Sequence, residues 1–235
     1  MSTEPGSGTA LRAGCSMATA ALLRGLLNDY QRHSGQRIEL VSSGGVELLR
    51  RVMEGEPFDV VVLASDAIDA LIRGNRLLPG SRVDLVRSSV AVAVAAGAPH
   101  PDICSEQALR AALLTARSIG YSTGPSGTGL LALLQRLGIE EQVRARMVQA
   151  KPGVPVGSLL ASGEVALGFQ QRSELQGMAG IELVGDLPAA CAIETLFSGA
   201  VCSCCQRAEA AAALLRYLQS PQAAPAKRQH GMMPA

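Results

Sequence analysis

Two kinds of apolar run alternate along the chain. Residues 17–31 place Ala21, Leu22, Leu26, Leu27 and Tyr30 at helical spacing, and Ser16 stands where a helix N-cap belongs. Residues 58–63 (FDVVVL) are continuously apolar, as in a parallel-sheet strand covered on both faces. Short β-type runs at 10–14 and 37–41 precede helical runs at 17–31 and 46–54, and Ser65 opens a third helix to about 73. The first 75 residues therefore read β-α-β-α-β-α, a doubly wound pattern.

The chain then changes character. Residues 77–87 (LLPGSRVDLVR) carry turn chemistry at Pro79-Gly80. Strands are expected at 90–96, 118–121, 148–150, 165–169, 181–184 and 193–201. Helices are expected at 105–116, 130–137, 140–147, about 157–162 and 206–218, with a last short one after Ser220-Pro221. The run at 193–201 is placed back beside the first strands. No internal sequence repeat is present, only a repeated architecture.

The stretch Val41-Ser42-Ser43-Gly44-Gly45 joins a strand to a helix. Such a turn sets hydroxyls and free backbone N–H groups at a helix start, which favours an anion, and glycine lets the backbone approach a ligand closely. Taken alone it reads more readily as a plain tight turn. The device recurs at residues 122–129 (STGPSGTG), which is not a phosphate-binding P-loop because no lysine follows the last glycine.

Composition narrows the function classes. Hydrophobic residues make up 48% of the 235, enough for a sizeable core, while aromatics at 3% supply no stacking platform for sugars or single strands. A net charge of +1 with no Lys/Arg run argues against nucleic acid. No apolar run spans a membrane, so no membrane insertion is expected. The six cysteines, Cys15, Cys104, Cys191, Cys202, Cys204 and Cys205, the last three in a C-x-C-C cluster, sit in small-residue contexts and read as reduced thiols. The leader has no charged segment followed by an apolar run, so a cytoplasmic location is expected for the chain as given, and a periplasmic one if a leader has been removed. No metal-ligand cluster or cofactor motif is visible, so neither a metal nor a cofactor is expected.

Four features line up in order. They are Ala13-Gly14-Cys15-Ser16-Met17; Ser42-Ser43-Gly44-Gly45 followed by residues 51–60 (RVMEGEPFDV); Pro125-Ser126-Gly127; and Gly168-Phe169-Gln170-Gln171. With the tail Ser220-Pro221-Gln222 through Gly231-Met232, the chain resembles the molybdate-binding family of ABC-transporter substrate-binding proteins over about residues 10–235. The resemblance implies an α/β, type-2 periplasmic-binding-protein-like fold of two lobes, each a doubly wound, mostly parallel sheet. Residues 10–82 plus 194–235 would form lobe 1, residues 83–193 lobe 2, and residues 1–9 a flexible leader. It also implies a small anion held in the hinge cleft, and an ABC permease as partner if the protein is exported.

Carried over by position, Ser16 matches the serine of the first turn that binds the anion. Ser43 adjoins Gly44 and Gly45, which fall where the family has serines. Ser126 and Gly127 fall in a turn that supplies a backbone N–H, and Val156 lies near another backbone donor. Gln171 stands where the family has a tyrosine. Fewer hydroxyls and more room favour an organic carboxylate over molybdate. Arg82 and Arg87, flanking Asp84 near the lobe crossover, are either a bidentate clamp for a carboxylate or ordinary hinge charges.

His33, His100 and His230 occupy polar contexts and read as surface residues. Binding is therefore the main expectation. Some diverged relatives of this family resemble aconitate isomerase, which moves a double bond in a tricarboxylate, so an isomerase on the same scaffold is the alternative. Its 1,3-proton shift needs an anion clamp and one positioned base. Cys15 and Glu47 are the candidates for that base by position. A cysteine at a helix start can have a lowered pKa, but Cys15 reads more readily as a small packing residue. A ligand-sensing module is a third class; this chain has no DNA-reading segment.

Overall fold

The computed structural model describes residues 10–235, and the leader expected at 1–9 lies outside the described residues. The chain opens as β1 (Leu11–Ser16), α1 (Met17–Ser34), β2 (Ile38–Ser43), α2 (Gly45–Met53), β3 (Val60–Ala64) and α3 (Ser65–Arg73). β1 pairs in parallel with both β2 and β3, so the three strands end at one edge and the three helices start there. All five residues of β3 are buried, because helices cover both faces. On one face Leu22 and Leu26 of α1 pack with Leu214 and Leu218 of α9 (Ala208–Gln219); on the other lie Leu48 and Val52 of α2 with Ile68 and Leu71 of α3.

The thirteen-residue strand β4 (Val83–Ala95) leaves this half of the molecule. Its residues 83–89 pair antiparallel with β9 (Glu194–Val201), and residues 90–95 pair with β7 (Leu167–Gln171) and β8 (Ile181–Asp186). The second half adds α4 (Glu106–Thr115), β5 (Ile119–Tyr121), α5 (Pro125–Arg136), α6 (Glu140–Val143), β6 (Met147–Gln149), α7 (Val156–Ala161) and α8 (Arg172–Leu175). β5 is parallel to β6 and β7, and the strand order is β2-β1-β3-β9-β4-β7-β5-β6. Leu109, Leu113, Leu130 and Leu134 cover one face of this sheet, and Leu160, Val165 and Leu175 the other. The chain closes with α10 (Ala224–Gln229) and β10 (Met232–Pro234), which pairs antiparallel with β4.

The fold is thus α/β, with two halves of the periplasmic-binding-protein type. The parallel arrangement holds in β2-β1-β3 and β6-β5-β7, while β4 and β9, which cross between halves, run antiparallel to their neighbours. Several boundaries differ from the sequence reading. β4 starts at Val83 rather than 90, since pairing with β9 holds the polar segment around Asp84 and Arg87 extended. α5 starts at Pro125 rather than 130; proline is suited to the first helical position, and Gly129 is needed because a Cβ there would lie 2.5 Å from Ile193 Cγ2. β7 runs on to Gln171, and β10, three residues long with a proline, left no periodic signal.

Phe169 is fully buried in the second half. Phe169→Ala is expected to cost about 3–5 kcal/mol, read as a lower urea midpoint by circular dichroism.

Candidate functional site

Helices α1, α2 and α5 begin without a side-chain cap. Their first N–H groups have no partner inside the helix and need one outside it. All three starts open on one cavity of about 480 Å³, lined by Ser16, Met17 and Ala18, by Gly44, Gly45 and Val46, and by Ser122 to Ser126 and Thr128. α3 also reaches this space, but there Asp66 accepts a hydrogen bond from the Ala67 N–H (2.9 Å) and occupies the helix start itself. A second, wider chamber of about 750 Å³ adjoins the first, and Met17, Gly44, Gly153 and Glu174 line both. The two halves touch here: Ser173 Oγ donates to the Ala18 carbonyl at 2.8 Å.

Most of the residues singled out in the sequence come together. Ser16 is buried, its hydroxyl 3.4 Å from that of Thr19. Ser126 Oγ lies 2.8 Å from Ser122 Oγ, and Pro125 has no N–H, so Ser126 offers the first N–H of α5. Gly127 is there for close packing: a Cβ would stand 1.8 Å from the Ser122 carbonyl oxygen. Gly44 and Gly45 are different. A Cβ at either would make ordinary contacts, 3.7 Å from Gly153 N and 3.7 Å from Ser16 Cβ respectively. Packing does not demand these glycines; they leave backbone and space open to a ligand. Ser43 lines the wider chamber.

Gln171 is 2% exposed and lines the smaller cavity. Its Nε2 donates to Thr195 Oγ1 at 2.7 Å, and its Oε1 is buried with no partner. A hydroxyl both gives and accepts, so this amide can turn either end to a ligand.

Five expectations are corrected. Cys15 is fully buried, lines neither chamber, and burial pushes its thiol up to about 12, so it packs and does not act as a base. Glu47 lines the wider chamber, but Arg50 binds both its oxygens at 3.0 and 2.8 Å and holds it below the usual carboxylate range, which makes it a poor base. The Val156 N–H already donates to Gln170 Oε1 at 2.7 Å and is not free for an anion. Arg82 lines neither chamber and is held by Asp69 (2.5 Å) and Asp84 (3.0 Å). Arg87 is exposed on β4, faces Glu194 at 3.9 Å, and lines neither chamber.

Sequence reasoning missed three site residues. Lys151 lines the smaller cavity, is exposed, and has no ion-pair partner among the described residues. It is one of two lysines in the chain, and that rarity was the available signal. The others are Gln170 and Glu174. Gln170 is 2% exposed, and because its Oε1 takes a backbone N–H, its Nε2 must face Glu174, donating to Oε1 at 2.7 Å. Burial raises the Glu174 carboxyl to about 7, partly offset by that hydrogen bond. No periodicity marks either residue.

A cleft between two α/β halves, walled by helix starts at strand ends, is the architecture of a solute-binding protein. The chain belongs to the bacterial extracellular solute-binding protein family, whose model matches residues 11–233. It is 37% identical over 234 residues to an aconitate isomerase of a Pseudomonas species, covering 96% of this chain and 87% of that protein. Its structure is similar to the periplasmic molybdate-binding protein of Azotobacter vinelandii (TM-score 0.80, 20% identity, 95% of this chain and 98% of that one). It is also similar to the sulfate-binding protein of Mycobacterium tuberculosis (TM-score 0.77, 16% identity, 97% and 87%). At such identities the structural likeness establishes the fold. No helix among the described residues is long and apolar enough to cross a membrane.

Two outcomes test the site's construction. Gly127→Ala is expected to lower the melting temperature by several degrees or abolish folding, read by thermal denaturation. For Glu174 the sign follows from its raised pKa: its favourable contribution is complete below about 4.5 and is lost as pH rises through about 7. Glu174→Gln is therefore expected to melt higher than the parent at pH 8, with the gap closing at pH 5, in parallel scanning-fluorimetry series.

Proposed function

We propose that this chain captures a small, multiply charged organic carboxylate in the cleft, with its carboxylates at the starts of α1, α2 and α5. The observation that carries this reading is the convergence of three uncapped helix starts on one cavity of about 480 Å³, with Lys151 at its wall. Helix starts and a lysine attract anions. A compact tetrahedral oxyanion would leave much of that space to water, whereas a carbon skeleton fills it. Gly44 and Gly45 contribute no hydroxyls, and Gln171 suits a ligand that carries a second polar group. Closure of the halves on the ligand is driven by contacts made only when both touch it.

For an exported form, an ABC permease is the partner that goes with capture. A reducing, cytoplasmic location is the alternative, supported by the six free cysteines. The two-lobe division belongs to this proposal as the hinge about which the cleft closes, its first crossing moved from 82/83 to about 89/90, because residues 83–89 pair with β9 and Leu85 and Val86 pack in the first half's core, and its second at 193/194.

A second reading is favoured by one observation, the 37% identity with an aconitate isomerase along nearly the whole chain. In it the ligand is an aconitate, and the cleft also shifts its double bond.

Calorimetric titration with molybdate, citrate, the aconitates and short dicarboxylates tests capture. At least one tricarboxylate is expected to bind more than about tenfold tighter than molybdate, a difference of about 1.4 kcal/mol. Submicromolar molybdate binding with no carboxylate response overturns the reading. Gly45→Ser should fold normally, since its Cβ has room, and tighten molybdate binding by about tenfold or more, as expected for one added hydrogen bond to a charge worth about 1.5–3 kcal/mol.

A further inference from the structure

Glu174 stands where both chambers meet, facing the same space as the starts of α1, α2 and α5. One of its oxygens is fixed by Gln170 Nε2 at 2.7 Å; the other, Oε2, has no partner among the described residues. The Gln170 amide cannot turn over, because the Val156 N–H holds its Oε1 at 2.7 Å. So one carboxyl oxygen is anchored by a buried, oriented donor and the other is left to the cavity. The remaining titratable groups that line the two chambers are Arg24, Glu47, Asp66 and Lys151. Glu47 is engaged by Arg50, and Asp66 by the Ala67 N–H. No histidine lines either chamber.

We propose that Glu174 is the catalytic base and acid of a 1,3-proton shift on an unsaturated polycarboxylate bound in the cleft, and that Gln170 is the residue that positions it. This assignment rests on the second, isomerase reading. In the carboxylate form Glu174 Oε2 takes a proton from the methylene next to the double bond. That C–H bond breaks, and its electron pair spreads over the three-carbon allylic unit into a ligand carboxylate. The helix starts and Lys151 lie where they stabilise this added negative charge. Glu174 then delivers the proton to the far carbon of the unit, a new C–H bond forms, and the double bond closes at the other end. Nothing is oxidised or reduced, no water is consumed, and Glu174 ends ionised as it began.

The raised pKa of about 7 fits a group that must both take and return a proton near neutrality. Burial and the Gln170 hydrogen bond are its causes, and no neighbouring charge is among them. Arg172 on its own helix is paired to Asp186 of β8, Arg24 of α1 lines the wider chamber, and the β4 charges Asp84 and Arg87 bond or face Arg82 and Glu194. Burial is the largest cause, and a polyanionic ligand would raise the pKa further.

The test uses the full chain, with cis- and trans-aconitate as probes. Interconversion is followed by proton NMR in D₂O, and affinity by calorimetry. Glu174→Gln is expected to lower kcat by about 10²–10⁴-fold, the usual reach of general acid–base catalysis, while Kd for trans-aconitate stays within about threefold. The kcat/KM of the parent should rise with pH through about 7. Gln170→Met, which removes the donor that lowers the pKa, should move that midpoint upward. If the parent converts aconitate and Glu174→Gln does so equally, the assignment is overturned and the isomerase reading stands. If Glu174→Gln loses binding together with turnover, the residue is structural and the assignment is overturned. If the parent neither converts nor exchanges either isomer, the isomerase reading falls and the assignment with it.

Discussion

A helix start is a row of N–H groups in need of an acceptor, and the architecture of this molecule follows from where those rows are set. β1, β2 and β3 are parallel, so their carboxyl ends share an edge and α1, α2 and α3 all start there. The other half brings α5 to face them. A serine, a glycine and another glycine stand at the N-cap positions of α1, α2 and α5, and no side chain turns inward to close any of them. At an ordinary surface water would take these N–H groups. In a cleft between two packed halves the acceptor has to be a ligand or ordered water, and a ligand anion gains from the aligned peptide dipoles as well.

The opposite sign sits in the same space. Glu174 is buried enough that its charged form is disfavoured, and the single hydrogen bond from Gln170 compensates only in part. A chain under selection for stability alone would place a neutral residue there. Burying that carboxyl costs stability, a cost the neighbouring helix starts reduce only in part, and a perturbed acid in a cleft marks a candidate functional group. Lys151 and Asp66 set the charge at the wall of the same cavity.

Fold and chemistry separate cleanly here. The two halves and the crossing strands β4 and β9 match binding proteins whose sequences have diverged to 20% identity or below. The cleft of this chain carries glycine at 44 and 45 where neither is required by packing, two adjacent buried amides at Gln170 and Gln171, and one acid between the chambers. The fold by itself does not decide function; such side chains do.

The local signals in the sequence were sufficient for the repeated strand–turn–helix device, for the buried strand at Val60–Ala64, and for bringing Ser16, Gly44, Gly45 and Ser126 to the wall of one cavity. Hydrophobic period and turn residues report burial and direction within a dozen residues, and parallel βα units then place the helix starts on one edge. Those signals say nothing about contacts between residues far apart. Position alone made Cys15 and Glu47 candidates for chemistry; only the packed structure showed one sealed beneath α1 and the other held by Arg50. Arg82 and Arg87 looked free until Asp69, Asp84 and Glu194 came within reach. Gln170, Glu174 and Lys151 carry no periodic mark, because a cleft residue is neither regularly buried nor regularly exposed. They meet in one cleft when β7, α8 and the loop before α7 are brought against the starts of α1 and α2, and only tertiary contact sets the desolvation and hydrogen bonding that give Glu174 its raised pKa.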